Sequence, residues 1–436
     1  MATSTDEMYN SNSRYLHKMC RIYFSTEPLE ISASNYLISS SILEEPYKVT
    51  NSPFGEILSN ELDLTLYNDN GIFNPKNVDS PYYGRIKRGI KIEVFIRPDE
   101  VDEWDPLGVF YVTDWTTSTA GMTAEVVAYD KLYSILNAHI PSLPIVKDVS
   151  FASFIKDYFA LFNAEVIVDS AIQLTLPYGF TTGYADNKKL LADLMMAAIA
   201  DCYCTHDGNI IIRSKIAPRD LRAVLTDDDQ IISVSIKQSL STDYDSVSVT
   251  VNALQESQEQ SVLLIEDFKA QPGTTSTGFV KFSVPGVLGI KSIRAESDYP
   301  VKPVNFTATA DDIICSVQSS ADTTINLDFI GTALETISSI ISTEGKAAVE
   351  LNSKFVQDVN NGRQLLTFVD QYIKESLPVL DLSIRGNPKL QIGDKIQISS
   401  SKYKTDYVGI LKKVDYQYSG GLHCDISLIA DITKEV

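Results

Sequence analysis

The chain is 436 residues long with a formal net charge of −20, from 57 acidic and 37 basic side chains. Hydrophobic content of 44% and charged content of 22% are those of an ordinary globular protein, with chain enough for about three domains. The acidic balance argues against a nucleic-acid-binding surface, which needs clustered Lys and Arg; it suits solubility, and also a surface that phosphates pass without adhering.

Residues 1–15 are rich in Ser, Thr and Asn and read as a mobile arm unless a partner orders them. From Arg21 to Tyr133 the pattern is mostly strand. Leu62 to Tyr67 alternates apolar and polar residues, and Asn68-Asp69-Asn70-Gly71 breaks it with turn chemistry suited to positive φ. Ile90 to Ile96 alternates again until Arg97-Pro98, and Gly108–Trp115 with Met122–Tyr129 reads as a further pair joined through Ser118–Gly121. The period then becomes helical at Phe151–Phe159, with Ser150 as N-cap. Asn187 is expected to cap a second helix, Lys188–Asp201, burying Leu190, Leu191, Leu194, Met195 and Ile199. Asp207-Gly208-Asn209 turns into a short strand, Ile210–Ile212, so residues 140–218 read as a small α/β domain.

Strand pattern returns from Ile231 to Asn252. Gln255 to Ala333 is rich in Thr, Ser, Val and Ile, is punctuated by Pro272-Gly273 and Pro285-Gly286, and reads as an inserted β-rich domain. Ala333–Ile341 and Gly362–Glu375 read as helices, and Leu380–Ile432 as strands.

Four blocks recur in order about 300 residues apart. Leu62–Leu66, Gly89–Val94, Gly108–Val112 and Gly121–Val126 match Leu380–Ile384, Gly393–Ile398, Gly409–Val414 and Gly421–Ile426. The recurrence suggests an internal duplication. The first copy is longer: Leu62 to Gly89 spans 27 positions and Leu380 to Gly393 spans 13, so the excess, near Asn68–Gly84, is a longer loop of the kind that carries partner contacts. The candidate contact residues are Asn68, Asp69, Asn70, Gly71, Phe73, Tyr82 and Tyr83.

Motifs for chemistry are sparse. No P-loop, H-E-x-x-H or G-x-S-x-G pattern occurs, and the four histidines, His17, His139, His206 and His423, form no recognisable catalytic set. The Asn68–Gly71 turn fails as a calcium loop because Leu66 and Asn77 fall at ligand positions 1 and 12. Cys202, Cys204 and His206 would share one face of a strand, but the spacing offers no fourth zinc donor, and buried thiols are the preferred reading. Asp227-Asp228-Asp229 reads as a solvated turn. Five scattered cysteines give no disulfide framework and fit reduced thiols. Met1–Ser13 has no apolar signal-peptide core, and the longest apolar run, Leu190–Ala200, is too short to span a bilayer, so no stable membrane insertion is expected. No catalytic residue, cofactor or metal is expected.

The strand Leu62–Tyr67 running into Asn68-Asp69-Asn70-Gly71-Ile72-Phe73-Asn74-Pro75, then Arg88–Ile92, Gly108–Trp115 and Ala128-Tyr129-Asp130-Lys131-Leu132, resembles the tail-hub, baseplate-hub or tail-tip proteins of tailed bacteriophages. Leu190–Leu194, Asp207–Ile210 and Leu390–Ile396 are similar to the same family, so the resemblance covers about two-thirds of the chain through the order of its motifs. It implies a mainly β protein with smaller α/β parts, built on two tube-like β-barrel modules related by internal duplication. Residues 1–139 would be the arm and first barrel, 140–218 the small α/β domain, and 219–254 the start of the second barrel. An inserted β-rich domain would follow at 255–345, with helices and the rest of the second barrel at 346–436. The implied function is a structural hub in the virion, assembled in the host cytoplasm, whose homotrimer forms a pseudo-sixfold ring adapting the sixfold tail tube to a threefold central spike or tip. The implied partners are the tail tube protein, the spike or tip protein, other baseplate proteins and a tape-measure protein, with no specific nucleic-acid binding. Many tip proteins of this kind carry a C-terminal enzymatic or receptor-binding extension; this sequence ends at Val436, directly after the second module, so such an activity is expected on a separate chain. The alternatives are a receptor- or glycan-binding tail-tip protein using Tyr-lined loops and the insertion and, less favoured, a cell-wall hydrolase.

Overall fold

The computed structural model describes residues 14–46 and 57–430, apart from short stretches at 119–121, 142, 228–229, 238–243, 273–274, 282–285, 298–300, 309–311, 346–347, 375–378 and 403–404, together with Tyr9 and Phe54. Most of the expected arm, the tip of the 118–121 turn and Asp228-Asp229 lie outside these residues. The described part of the arm is anchored: the buried Tyr9 hydroxyl donates to Asp105 at 2.7 Å, and Arg14 donates to the Gly386 carbonyl at 2.7 Å.

The N-terminal region supplies seven strands, β1 (Leu16–Ile22), β2 (Leu29–Ser32), β3 (Leu37–Glu44), β4 (Glu61–Tyr67), β5 (Lys91–Pro98), β6 (Asp105–Ser118) and β7 (Thr123–Tyr129). Their alternation places every second side chain in one core: Ile92, Val94 and Ile96 of β5 and Leu62, Leu64 and Leu66 of β4 are buried together. Each such aliphatic side chain contributes about 1.5–3 kcal/mol by leaving water.

Helix α1 (Lys131–Leu136) follows, capped by Asp130, whose carboxylate accepts from the backbone N–H groups of Leu132 and Tyr133. Then come β8 (Val146–Ser150), helix α2 (Phe151–Ala160), β9 (Val166–Val168), β10 (Thr175–Gly179), helix α3 (Asn187–Ala198), β11 (Ala200–Cys204) and β12 (Ile210–Ser214). Ser150 caps α2, as its position predicts. For α3 the cap is Asp186 and not Asn187, and the helix stops at Ala198. Asn187 is buried instead, donating to the carbonyls of Ile135 at 2.7 Å and Ala138 at 2.9 Å and accepting from Tyr158, so it ties α1, α2 and α3 together.

Strands β13 (Leu221–Thr226) and β14 (Ile231–Lys237) return to the large sheet. Next, β15 (Ser246–Glu256) leaves it. Expected as part of the second barrel, β15 lies in another sheet, and Val247, Val249 and Val251 join the core of the α/β region. The segment after it forms β16 (Gln260–Ala270), β17 (Thr275–Lys281), β18 (Val287–Glu296), β19 (Val301–Ala308), β20 (Asp312–Ser319) and the long β21 (Thr323–Ser342), around a core including Val262, Ile313, Ile325 and Phe329. The helix expected over Ala333–Ile341 is therefore the second half of β21. Its apolar residues fit helical spacing, but β15 offers an antiparallel edge from Ser248 to Glu256 that takes up its backbone groups. After β22 (Ala348–Asn352), helix α4 (Val359–Lys374) packs Leu365 and Val369 into the α/β core. The chain then finishes with β23 (Val379–Ile384), β24 (Lys395–Ser400), β25 (Thr405–Tyr418) and β26 (Leu422–Ala430). Among the described residues no helix is long and apolar enough to cross a membrane.

The large sheet runs β14-β23-β26-β25-β3-β4-β7-β6-β5-β1-β2, with β24 paired to β25 and β13 to β24. Within it a five-strand order occurs twice: β3-β4-β7-β6-β5 and β14-β23-β26-β25-β24, antiparallel throughout. The registers correspond. Leu62 faces Ala128 where Leu380 faces Leu428, and a bulge falls between Val112 and Asp114 where one falls between Leu411 and Lys413. A second bulge, between Leu37 and Ser39, has its counterpart between Ile231 and Ser233. Gly89 and Gly393 both sit at positive φ, +85° and +84°, and their N–H groups donate to Val112 and Leu411 at 2.7 and 2.8 Å.

These registers equate Val112 with Leu411, two residues away from the pairing of Gly108 with Gly409 that block matching suggests. A two-residue slip keeps every side chain on its own face, so alternation alone cannot detect it. The units differ at their margins: β1 runs antiparallel to β5, whereas β13 runs parallel to β24. They meet where β3 pairs with β25, Ser40–Glu44 against Tyr418–Val414.

Candidate functional site

The extra loop of the first unit, residues 68–90, is a chain of consecutive turns. Backbone bonds step along it, from Gly71 N–H to Asn68 O, Asn74 to Gly71, Asn77 to Asn74, Ser80 to Asn77 and Tyr83 to Ser80. Asn side chains reinforce the steps, and Gly71 takes the positive φ its turn requires. The loop is thus held in one shape although it lacks strand partners.

Its candidate contact residues divide in two. Phe73 is 0% exposed, with ring centroids 5.2 Å from Tyr36, 5.8 Å from Tyr82 and 6.2 Å from Trp115. The Trp115 indole donates to the Phe73 carbonyl at 3.0 Å, Asn68 is buried and accepts from the Phe73 N–H at 2.9 Å, and the half-buried Tyr82 stacks on Phe24 at 4.4 Å. Asn68, Phe73 and Tyr82 therefore fasten the loop to the first five-strand unit, and the first two offer no surface to a partner. Asp69, Asn70 and Tyr83 are exposed, Tyr83 at 53%, as is Val78 at 69%. Four bases, Lys76, Arg85, Lys87 and Arg88, are exposed there against two acids, Asp69 and Asp79, an inversion of the chain's overall balance. Neither Val78 nor this basic cluster was singled out from sequence, because only the folded loop separates its outer residues from its anchors.

Between the sheet and the α/β region lies a second polar group, which sequence reading did not assemble. Asp201 of β11 is buried between Lys215 and Lys412, the latter 3.0 Å away. Burial would push this carboxyl up, but Lys215 and Lys412 override it and hold the group below the usual carboxylate range. Burial in turn pulls Lys215 down to about 7, opposed by Asp201. His206 stands with its Nε2 2.7 Å from the Glu44 carboxylate, both buried, although the ring does not aim an N–H along that line. Burial lowers the His206 pKa, and the charge of Glu44 outweighs it, so the net shift is upward. These groups join β11 and the turn after it to β3 and β25, fixing the α/β region against the joint between the two units.

Cys202 and Cys204 belong to the α/β core, while His206 pairs with Glu44 and meets the Tyr416 ring edge-on at 6.0 Å. Burial pushes the Cys202 thiol up, and that of Cys204 well above the ordinary value. Among the described residues no three His, Cys, Asp or Glu side chains are grouped to hold a metal ion. Asp227 accepts from the Lys402 N–H at 2.9 Å and from Ser400, which ties its turn to the end of β24.

No family model matches the sequence, and no curated protein matches it. Solved structures do. The 43 kDa tail protein of prophage MuSo2 from Shewanella oneidensis superposes with a TM-score of 0.56 at 12% identity, over 96% of this chain and 100% of that one. The tail protein from Neisseria meningitidis MC58 gives 0.54 at 10% identity, over 96% and 97%. The chain therefore has the mainly β fold of these two tail proteins.

Proposed function

We propose that this chain is a structural hub protein of a phage tail baseplate or tail tip. The observation that carries the reading is the five-strand unit occurring twice with matching bulges, within a fold shared with phage tail proteins. We take the two units as products of an internal duplication. Three chains in a ring then present six similar units, so that one face can seat a sixfold tail tube while the protein keeps threefold symmetry for a central spike or tip.

The long loop occurs once per chain and sets the threefold detail. Its exposed bases suit an acidic partner surface, and Tyr83 and Val78 supply apolar contact area. The tube, the tip and neighbouring baseplate proteins are the proposed partners, and the virion is the proposed location, after assembly in the host cytoplasm. The role is one of assembly and not of catalysis. The excess of acids suits a lumen that DNA traverses without adhering.

Native mass measurement and imaging of the particle test this. A threefold ring directly under the tube is the expected result. A chain that stays monomeric with its tube and tip partners present would refute the reading.

A further inference from the structure

A cavity of about 430 Å³ lies on the α/β region, where helix α3 ends, the chain leaves β12 and helix α4 passes by. Its volume is within the range typical of ligand sites. Ile199, Ile216 and Phe368 give it an apolar lining, and Arg363, Gln364 and Thr367 border it from α4. Ile199 and Phe368 are buried and form the floor, while Ile216 stands 49% exposed at the wall. The Lys215 N–H donates to the Ile199 carbonyl at 2.9 Å and the Ile216 N–H to the Ser214 hydroxyl at 3.3 Å, so floor and wall are held together.

The floor is built on a strained residue. Ile199 closes α3 in the left-handed region, at φ +48° and ψ +57°, where glycine is the usual occupant and a β-branched residue is an outlier. A glycine would relieve the strain but leave the floor without its aliphatic side chain. The polar groups all stand on one side. Arg363, Gln364 and Thr367 are neighbours one turn apart on the exposed face of α4. Among the described residues the Arg363 guanidinium and the Gln364 amide have no partner. The acids nearest on the same helix are already engaged: Asp370 pairs with Lys374 at 2.7 Å, and Asp358 accepts from the Asn360 and Asn361 N–H groups at 2.7 and 3.3 Å. In a chain of net charge −20, the mouth of an apolar cavity thus carries an unmatched cation.

We infer that this cavity receives a short extended segment of another protein, with one bulky apolar side chain entering between Ile199, Ile216 and Phe368 and an adjacent carboxylate meeting Arg363. Covering Ile216 takes an apolar side chain out of water, and the charge pair at the mouth selects an acidic segment over a basic one. A free amphipathic carboxylate would use the same floor and the same cation. The peptide is favoured because the Gln364 amide offers a donor and an acceptor together, the complement of a peptide unit, which a lone carboxylate leaves half used. This contact is separate from the long loop and does not rest on the hub reading.

The full chain is titrated with the probe peptide acetyl-Ser-Asp-Phe-Ser-amide, its ring carrying a para-fluorine, and binding is followed by fluorine NMR. A second probe has Lys in place of Asp, and a third is octanoate. The variants are Arg363→Glu and Thr367→Trp, each at an exposed helix position, with circular dichroism and thermal melts confirming that both fold. Thr367→Trp places an indole across the mouth. The aspartyl peptide is expected to bind with a Kd of about 1 mM or tighter. Arg363→Glu should weaken it about tenfold and reverse the preference, so that the lysyl peptide binds better. Thr367→Trp should abolish binding of both peptides. An aspartyl peptide that does not bind at about 5 mM overturns the inference. So does one that binds both variants as well as it binds the unmodified chain, since it then sits elsewhere. Octanoate binding that both variants remove, with no peptide binding, gives the cavity to a free amphipathic carboxylate and also overturns the peptide.

Discussion

Replacing Phe73 by Ala tests whether this side chain anchors the long loop or contacts a partner. Phe73 has no exposed surface, and its ring sits among Tyr36, Tyr82 and Trp115. Truncating a fully buried Phe typically costs about 3–5 kcal/mol from lost transfer energy and the cavity left behind. The upper part of that range applies if the cage of three rings cannot collapse, since aromatic pairs add about 0.5–1.5 kcal/mol beyond area. With a urea slope of about 3 kcal/mol per molar, the midpoint falls by about 1–2 M. Trp115 is one of two tryptophans in the chain and lies 6.2 Å from Phe73, so intrinsic fluorescence reports the unfolding of this unit. A Phe73→Leu variant, which refills most of the volume, recovers more than half of the loss. A midpoint shift of less than about 0.3 M in a Phe73→Ala variant that no longer assembles would refute an anchoring role for Phe73, because a buried anchor cannot behave so.

Two further outcomes follow from the same geometry. Gly89→Ala and Gly393→Ala both place a Cβ at positive φ, which costs about 1–2 kcal/mol. A Cβ at Gly89 meets no atom within 4 Å, whereas one at Gly393 lies 2.8 Å from the Tyr203 hydroxyl, so thermal melts are expected to show the larger loss at Gly393. Equal losses would mean that the second unit is looser there than drawn. The His206–Glu44 contact predicts a pH dependence of opposite sense to that of a paired carboxylate. The native pKa of His206 lies above its unfolded value of 6.5, so its stabilisation is fully present below that value and fades as pH rises through the native one. Denaturant titrations of the wild type against His206→Gln should show the difference between them shrinking over that interval; a constant difference would refute the pairing.

Much of the local structure was readable because the residues that encode it are neighbours. Alternation in Leu62–Leu66 and Leu380–Ile384 marks half-buried strands, Gly89 and Gly393 stand where a positive φ begins the next strand, and Ser150 caps its helix. The outer faces of the long loop were not readable, since Asn68 and Phe73 differ from Asp69 and Tyr83 by where the turns point them and not by residue type. Ala333–Ile341 fits both a helix and a strand, and β15 decided between them.

The sequence by itself determined the β character, the repeated order of blocks, the unequal loop and the family resemblance. Tertiary structure alone decided that β3 pairs with β4 and β14 with β23, that the third block is displaced by two residues, and that Asp201 gathers Lys215 and Lys412 from 14 and 211 residues away. The physical reason is common to all three. Backbone hydrogen bonds join strands without regard to side-chain identity, and a shift of two residues leaves each face unchanged. Which edge meets which is therefore settled by how the whole chain closes its ladders and buries its charges.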